Sequence, residues 1–278
     1  MGTQPLFDDQ FLKRVAALRF RASRRGSRAG GASAGDANVV IGFDLKDTRA
    51  YSPGDDLRAL DWNALARFDA AILRRFQDSA PPGMSIYLDT TESMKFGKPT
   101  KEWHARMIAG GLGAVALASG MEVRLVQEKP HRRLAGWLAA VAEYNNSSVH
   151  RQLDSLRIRT QQKNEWILLS DLYDTESLRP WIDRLRSRSH PVVVGAIWNS
   201  ADREPPAGDA EWIDSETGSV RVFTNADRAE FKKRFLEFEE SWRNFCKRRG
   251  ASFVVIPCTG SWENGFERIA DARRQQGR

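Results

Sequence analysis

The pattern of apolar and polar positions changes at about residue 84, where two kinds of segment begin to alternate. Short apolar runs predict buried strands, and they lie at 84–88, 121–127, 165–170, 191–198 and 251–258. Longer stretches, apolar throughout or with apolar residues at helical spacing, predict helices at 101–120, 131–144, 175–188, 226–250 and 262–274. This alternation predicts an α/β fold, in which helices cover both faces of a mostly parallel sheet.

The N-terminal part of the chain follows a different pattern. Residues 8–22 have apolar side chains at helical spacing and acids in the first turn, which predicts a helix. A small, polar, glycine-rich stretch at 23–37 predicts a mobile loop, and residues 38–49 and 69–78 are β-like. We therefore predict three parts: a basic helix and flexible loop at 1–35, a β-containing segment at 36–80 and an α/β domain at 81–278.

Composition is ordinary for a globular protein, but the basic excess is local. The 278 residues are 41 % hydrophobic and 28 % charged, with a formal net charge of +7. Residues 1–35 hold seven basic and two acidic side chains, or +5, which leaves +2 for the other 243 residues. We interpret the N-terminus as a solvated basic arm rather than a nucleic-acid-binding surface. An acidic partner or a membrane surface is the alternative for this arm.

The two cysteines and the hydropathy of the chain indicate the cellular compartment. Cys246 and Cys258 do not have the spacing of metal ligands, so we expect free thiols in a reducing environment. No apolar run approaches the roughly 20 residues that span a bilayer, and the N-terminus lacks the apolar core of a signal peptide. We therefore expect a cytoplasmic protein without a membrane span.

Two predicted strands end in an aspartate, Asp89 and Asp171. Ligands of open parallel sheets bind beyond the carboxyl ends of the strands, so these residues mark a candidate site. Every second residue after the first strand is polar, namely Asp89, Thr91 and Ser93, and such oxygens suit a hard cation. Asp171 would add an acid from another strand. The alternative is that Thr91 and Ser93 cap the following helix, and for this short motif alone capping is favoured.

Other chemistries match the sequence less well. A phosphoaspartyl hydrolase needs a second acid two residues after the first, where this chain has Thr91. The chain has no G-x-S-x-G elbow, P-loop or H-E-x-x-H motif, and its four histidines are scattered. The glycines at 110, 111 and 113 lie inside a predicted helix, where they allow close approach to a sheet rather than dinucleotide binding. We expect a protein that is not an enzyme.

A dense polar passage occupies residues 49–67, between the two β-like segments. Pro53-Gly54 predicts a turn, followed by Asp55 or Asp56 as a helix cap. The alternating acids and arginines of this passage can form bidentate ion pairs. Our first interpretation is that these pairs clamp the β-containing segment to the α/β domain, and our second is a partner-binding surface.

These motifs together resemble a known family. The pattern R-x-Y-x-P-G-D-D-x-R-x-L-D-W-x-x-x-A-R, followed by a strand ending D-x-T-x-S-M, is similar to the domain-of-unknown-function fifty-eight family. That family comprises von Willebrand factor A-like proteins often associated with MoxR-type AAA+ ATPases. The resemblance extends through LLSDLYD at 168–174 and WIDSETG at 212–218, and it covers about residues 36–260. The residues that carry the first motif are Tyr51, Gly54, Asp55, Asp56, Arg58, Asp61, Trp62 and Arg67.

The resemblance implies a von Willebrand A-like (Rossmann-like) sheet with a small N-terminal β-containing elaboration. It also implies a metal ion-dependent adhesion site that binds Mg²⁺ or Mn²⁺. Carried over by position, Asp89, Thr91 and Ser93 are its D-x-S-x-S ligands, with threonine in place of the first serine, and Asp171 is the later aspartate. The further threonine of complete sites has no obvious counterpart, and Ser148, or its neighbour Ser147, is the nearest match.

The function that follows is a non-catalytic protein-interaction module. A metal at Asp89, Thr91 and Ser93 would accept an acidic side chain, and the resemblance implies a MoxR-type AAA+ ATPase and its client as partners. One alternative is the same fold with a degenerate metal site, acting as a scaffold through residues 49–67. Another is a metal-dependent phosphoesterase, although the sequence contains no recognisable nucleophile–base pair.

Overall fold

The computed structural model describes residues 6–27, 45–50, 72–76, 83–145, 164–205, 210–213 and 218–276. The described strands are β1 Leu45–Ala50, β2 Ile72–Phe76, β3 Gly83–Leu88, β4 Glu122–Leu125, β5 Asn164–Ser170, β6 Val192–Trp198, β7 Ala210–Ile213, β8 Val220–Phe223 and β9 Ser252–Pro257. The described α-helices are α1 Asp9–Ser27, α2 Lys101–Ala118, α3 Leu134–Glu143, α4 Thr175–Ser187, α5 Ser200–Arg203, α6 Asn225–Arg249 and α7 Trp262–Gln276, and a 3₁₀ turn spans Glu92–Lys95.

A five-stranded parallel sheet in the order β4-β3-β5-β6-β9 forms the centre of the described structure. From β3 the chain crosses to β4 on one side, and β5 then pairs with β3 on the other side. The order therefore reverses between β3 and β5, and the carboxyl ends of these two strands flank the switch point. The predicted α/β fold is confirmed, with each of the five predicted strands within about two residues of its observed bounds.

Both faces of the sheet are buried, which explains the continuous apolar runs of its central strands. On one face Ile86 and Ile167 pack with residues of α1, α2, α3 and α7 in a first hydrophobic core. On the other face Tyr87 and Leu168 pack with residues of α4 and α6 in a second core. Successive residues of a strand point to opposite faces, so each strand contributes to both cores.

The glycines of α2 make room for side chains of α3, α7 and the segment at the start of α1, and the prediction that they face the sheet is wrong. A Cβ on Gly110 would meet the Phe7 ring at 2.6 Å, and a Cβ on Gly113 would meet Trp137 Nε1 at 2.1 Å. A Cβ on Gly111 would lie 3.1 Å from the Trp262 ring, a tight but less severe contact. Close packing of bulky aromatic rings therefore requires positions 110 and 113 to lack a side chain.

The N-terminal helix α1 is longer than the predicted one and packs on the first core. Phe11 is buried, and its ring lies 5.2 Å from that of Trp262 on α7. The helix continues to Ser27, into the stretch predicted as a loop. Arg24 and Arg25 are good helix formers, and Gly26, which disfavours a helix, lies only in the last turn, so the helix extends beyond residue 22. Residues 28–37 of the predicted loop lie outside the described residues.

Two antiparallel ribbons accompany the parallel sheet. β1 pairs with β2, which confirms the β-character predicted for the segment at 36–80. The β7–β8 ribbon was not predicted, because each of its strands has only four residues. Trp212 stacks on Phe223 at 4.4 Å, and both rings contact Phe231 of α6, so this ribbon is held on that helix. The boundaries 1–35, 36–80 and 81–278 stay a prediction.

None of the described helices combines the length and the apolar character needed to cross a membrane.

His190 makes the stability of the fold dependent on pH. Its Nδ1 donates to the carbonyl of Asn164 at 3.1 Å, and burial lowers the pKa of this imidazole below its ordinary 6.5. The folded state then binds fewer protons than the unfolded chain, so the free energy of unfolding decreases as the pH falls through 6.5 toward the lower folded pKa. Urea unfolding at pH 7.5 and pH 5.5 measures this loss. We expect His190→Gln to reduce it, and an unchanged loss in that variant would contradict the assignment.

Candidate functional site

Two aspartates lie next to each other at the switch point of the sheet. Asp89 directly follows β3 and Asp171 directly follows β5, and each is 2 % exposed. The backbone N–H of Asp89 donates to the Leu169 carbonyl at 2.9 Å, which continues the pairing of the two strands past the end of β3. The carboxyl edge thus holds two buried acids, at the position where open parallel sheets bind ligands.

Asp89 organises the hydroxyl groups that follow it. Its Oδ1 accepts hydrogen bonds from the backbone N–H of Thr91 at 3.0 Å and from the Thr91 hydroxyl at 2.7 Å. The Thr91 and Ser93 hydroxyl oxygens are 3.2 Å apart. On the other side, Ser170 donates to Asp89 Oδ2 at 2.6 Å and accepts from the Leu172 N–H at 2.9 Å. Both carboxylate oxygens of Asp89 are therefore held in place.

The capping interpretation of Thr91 is wrong. Thr91 does occupy the N-cap position of the 3₁₀ turn Glu92–Lys95, but its side chain makes no capping hydrogen bond. Its hydroxyl is directed to Asp89 and Ser93 instead. The buried side chain of Met94 fixes the turn against the first core, so the hydroxyls of residues 91 and 93 stay beside the carboxylate.

Asp171 connects these hydroxyls to the neighbouring strand. Its carboxylate is hydrogen-bonded to the Ser93 side chain, and its backbone carbonyl accepts from Trp198 Nε1 at 2.8 Å. The next residue, Leu172, is buried with a φ of 67°. A branched side chain rarely adopts this left-handed conformation, and such local strain is concentrated at functional sites. The backbone around Asp171 is thus held in a tight turn.

Lys101 is a residue of this site that the sequence analysis missed. It is the first residue of α2 and is only 1 % exposed. Its Nζ donates to Asp171 Oδ2 at 2.8 Å and to Asp202 Oδ1 at 3.4 Å, and it lies 5.1 Å from the centroid of the Tyr173 ring. A cation in the first turn of a helix opposes the helix dipole. Glu102 and Arg106 also lie in the first two turns of α2, so no local pattern singles out Lys101.

Asp202 was also missed, although its sequence context is recognisable. It lies in a capping box that directly follows the end of β6. Asn199 N–H donates to Asp202 Oδ2 at 2.8 Å, and Asp202 N–H donates to Asn199 Oδ1 at 2.9 Å. The hydroxyl of Tyr173 donates to the remaining oxygen at 2.9 Å. The pattern Asn-x-x-Asp after an apolar strand predicts such a cap, but not its contact with Lys101.

The negative charges of the site outnumber the positive charges. The three carboxylates of Asp89, Asp171 and Asp202 and the single ammonium of Lys101 leave two formal negative charges. Burial raises the pKa of the Asp171 carboxyl above its usual range, and Asp89 adds to that effect while Lys101 opposes it. The donor set of carboxylates and hydroxyls is chemically suited to Mg²⁺ or Mn²⁺, and a divalent cation would balance the remaining charge.

Within the described ranges, no group of three His, Cys, Asp or Glu side chains is arranged to hold a metal ion. A cation here would therefore need the hydroxyls of Thr91 and Ser93 in addition to the acids. The structure brings together Asp89, Thr91, Ser93 and Asp171, and their role as metal ligands stays a prediction.

Comparison with known proteins connects this site to a family. The sequence profile described as "Protein of unknown function DUF58" matches residues 47–241. The chain belongs to the DUF58 family. The match includes all the residues that form the site, from Asp89 to Asp202, and the family resemblance inferred from the sequence is confirmed.

Two relatives of this DUF58 chain come from mycobacteria. The uncharacterized proteins Mb1516 of Mycobacterium bovis and Rv1480 of Mycobacterium tuberculosis are each 23 % identical to it, over 95 % of this chain and 90 % of their own length. Among solved structures, the conserved hypothetical protein BatB from Bacteroides thetaiotaomicron matches 70 % of this chain and 98 % of its own at 11 % identity. The TM-score of 0.44 is too low to assign a shared fold.

The remaining predicted site residues of this DUF58 chain lie outside the described residues. They are Ser148 and its neighbour Ser147, and the motif residues Tyr51, Gly54, Asp55, Asp56, Arg58, Asp61, Trp62 and Arg67. Their predicted roles stay predictions.

Both cysteines are free, as predicted, and both are buried. Cys258 follows β9, and burial raises the pKa of its thiol to about 12, with a smaller contribution from Asp202. The thiolate is the nucleophilic form of cysteine, so this thiol is unsuited to nucleophilic chemistry at neutral pH.

Proposed function

We propose that this DUF58 chain is a non-catalytic protein-interaction module that binds an acidic group of a partner at the carboxyl edge of its sheet. The site would hold Mg²⁺ or Mn²⁺ through Asp89, Thr91 and Ser93, with Asp171 contributing directly or through its hydrogen bond to Ser93. One observation carries the proposal: residues from two neighbouring strand ends converge as a set of oxygen ligands at the switch point.

Some residues of the chain would orient the carboxylate of such a site, and others would add ligands for the cation. Ser170 and the Thr91 N–H orient the Asp89 carboxylate, and the neutral hydroxyls of Thr91 and Ser93 add ligands without adding charge. A bound divalent cation would supply a positive docking point for a carboxylate of the partner, because few of its ligands are charged. Specificity for an acidic partner would follow from this docking point.

The buried histidines and Cys258 support binding rather than turnover. In the described part of the chain, His104 directs Nδ1 to the Thr100 carbonyl, and His190, at the opposite edge of the sheet from the site, directs Nδ1 to the Asn164 carbonyl, so neither Nδ1 is directed to a hydroxyl or thiol nucleophile. Cys258 is held in its thiol form by burial. A nucleophile hydrogen-bonded to a base is the arrangement expected of a hydrolase, and these side chains do not provide one.

Two aromatic side chains next to the site are exposed. Phe96 follows the turn that carries Ser93 and is 59 % exposed, while Tyr173 lies two residues after Asp171 and is 43 % exposed. Aromatic residues are enriched among the side chains that dominate binding energy at protein interfaces. We therefore expect the partner's acidic group to be flanked by apolar residues that contact Phe96 and Tyr173.

The identity of the partner rests on the family resemblance. It implies a MoxR-type AAA+ ATPase, with the chain as an adaptor in the assembly or remodelling of a client. The von Willebrand A-like assignment and an intracellular role with this ATPase stay part of the proposal, as does the alternative of a metal-independent scaffold acting through residues 49–67.

Thermal unfolding in EDTA, Mg²⁺ and Mn²⁺ tests the metal site. A cation present at 100 times its dissociation constant stabilises the fold by about 2.7 kcal/mol, which raises Tm by about 5–10 °C for a chain of this size. We expect this rise in the wild type and not in Asp89→Ala, which loses the carboxylate that orients Thr91 and Ser170.

The matched control is Asp271→Ala. Asp271 is an exposed aspartate of α7 that pairs with Arg274, so its removal changes the net charge equally but away from the site. The control should keep the full rise in Tm. A wild type without any rise in either metal would contradict the metal site and favour the scaffold alternative.

A further inference from the structure

The most unusual charged residue of the described structure is Lys101, which neither the family resemblance nor the proposed ligand set includes. Lysine is almost never fully buried unless it is paired, and this side chain is 1 % exposed. Its two ion-pair partners are Asp171 and Asp202, at 2.8 and 3.4 Å. The first of these is a proposed member of the metal site, so the lysine and a metal would share a carboxylate.

We infer that Lys101 is a built-in cation that competes with a divalent metal for Asp171 and thereby sets the metal affinity of the site. The inference rests on the proposed function. Without metal, the ammonium holds Asp171; when a metal is bound, the ammonium moves its main contact to Asp202. Lys101 is a positioning residue, since it acts on the metal through the carboxylates that it holds.

The position of the lysine makes it a permanent part of the site. The Thr100 hydroxyl caps α2 by accepting from the Trp103 N–H at 3.1 Å, and the Lys101 N–H donates to the Phe96 carbonyl at 3.2 Å. The backbone at the start of α2 is therefore anchored to the turn that carries Ser93. The side chain extends from this anchor under the Tyr173 ring to reach both acids.

Asp171 is the carboxylate for which the two cations compete. Its Oδ2 contacts the ammonium, and its side chain also bonds to Ser93, whose hydroxyl lies 3.2 Å from that of Thr91. A positive charge this close to a proposed ligand repels a second cation, and burial leaves the repulsion poorly screened. The lysine thus lowers the affinity for metal while it stabilises the site without metal.

Asp202 gives the ammonium an alternative partner. Its carboxylate is held by the Asn199 N–H and the Tyr173 hydroxyl, so it stays in place whether or not Lys101 is near. It lies 3.4 Å from Nζ, just beyond the optimum for a hydrogen bond between charged groups. A small shift of the ammonium would exchange the shorter contact with Asp171 for one with Asp202.

Calorimetric titration with MnCl₂ tests the competition directly. We expect Lys101→Met to bind Mn²⁺ at least tenfold more tightly than the wild type, because the competing charge is gone. Lys101→Gln retains an N–H donor toward Asp171 and loses only the charge, so it should also bind at least tenfold more tightly and provides a second variant if the methionine protein does not fold. Circular dichroism establishes that each variant is folded.

The matched control is Lys95→Met, which removes an exposed lysine of the 3₁₀ turn that pairs with Glu92. Its affinity for Mn²⁺ should stay within threefold of the wild type, which separates the local competition from a general change in net charge. Equal affinities of the wild type and both Lys101 variants would overturn the inference and leave the metal site intact. Absence of Mn²⁺ binding in the wild type and in both variants would overturn the metal site and the inference together.

Discussion

Replacing Asp171 by asparagine is expected to lower the free energy of unfolding by about 3 kcal/mol in the presence of EDTA. Removal of one partner from a buried ion pair costs about 3–5 kcal/mol, because the remaining charge has neither water nor a counterion. Lys101 would keep Asp202 as its second acceptor, so we expect the lower end of that range. Equilibrium urea unfolding of the wild type and the variant measures the difference.

A double variant separates the ion pair from other effects of the substitution. In Lys101→Met/Asp171→Asn the buried ammonium is absent and its main acceptor is replaced by a neutral amide. The double variant should therefore lose less stability than the two single variants added together. Coupling energies of interacting residues are about 0.5–3 kcal/mol, and we expect a value near the upper end. A loss below about 1 kcal/mol for Asp171→Asn would show that the pair contributes little.

Replacing Gly113 by alanine is expected to destabilise the protein by about 3 kcal/mol, the upper end of the usual range for overpacking. The added Cβ would lie 2.1 Å from Nε1 and 2.2 Å from Cε2 of Trp137. The Trp137 ring is fully buried, and its Nε1 donates to the carbonyl of Gly110, which lies in α2 together with Gly113. Because the tryptophan is fully buried, we expect α3 to shift away from α2 to relieve the clash.

Gly136→Ala is a matched control for this substitution. Gly136 lies in the neighbouring helix α3, and an added Cβ would have only an ordinary contact, at 3.4 Å from His131 Nδ1. Alanine is favoured over glycine in a helix by about 0.5–1 kcal/mol, so this variant should be slightly more stable than the wild type. Equal effects of the two alanines on the urea midpoint would contradict the packing argument at Gly113.

Part of the candidate site could be predicted because its members are close in sequence or mark strand ends. Asp89, Thr91 and Ser93 lie within five residues, directly after an apolar run, and Asp171 ends a second such run. The carboxyl ends of parallel strands lie at one edge of a sheet, where ligands bind, and this rule is sufficient to place these residues together. The contacts of Thr91 were less predictable, because a hydroxyl before a helical turn fits a cap equally well, and only the fold directs it to Asp89.

The lysine and its second acid could not be predicted in this way. Lys101 is 70 residues from Asp171 and 101 residues from Asp202 along the chain. Their contact depends on the path of α2 across the sheet and on the capping box after β6, neither of which leaves a periodic signal. No local pattern separates Lys101 from the other charged residues at the start of α2.

The sequence by itself determined the α/β fold, the order along the chain of the five strands of the central sheet and of the long helices between them, and the DUF58 family, because periodicity and contiguous motifs are local properties. Only the tertiary structure decided the strand order of the sheet, the partners of the α2 glycines and the pairing of Lys101 with two acids. These features depend on which distant segments become neighbours, and the free energy of burying apolar helix faces against the sheet, not the local sequence pattern, selects them.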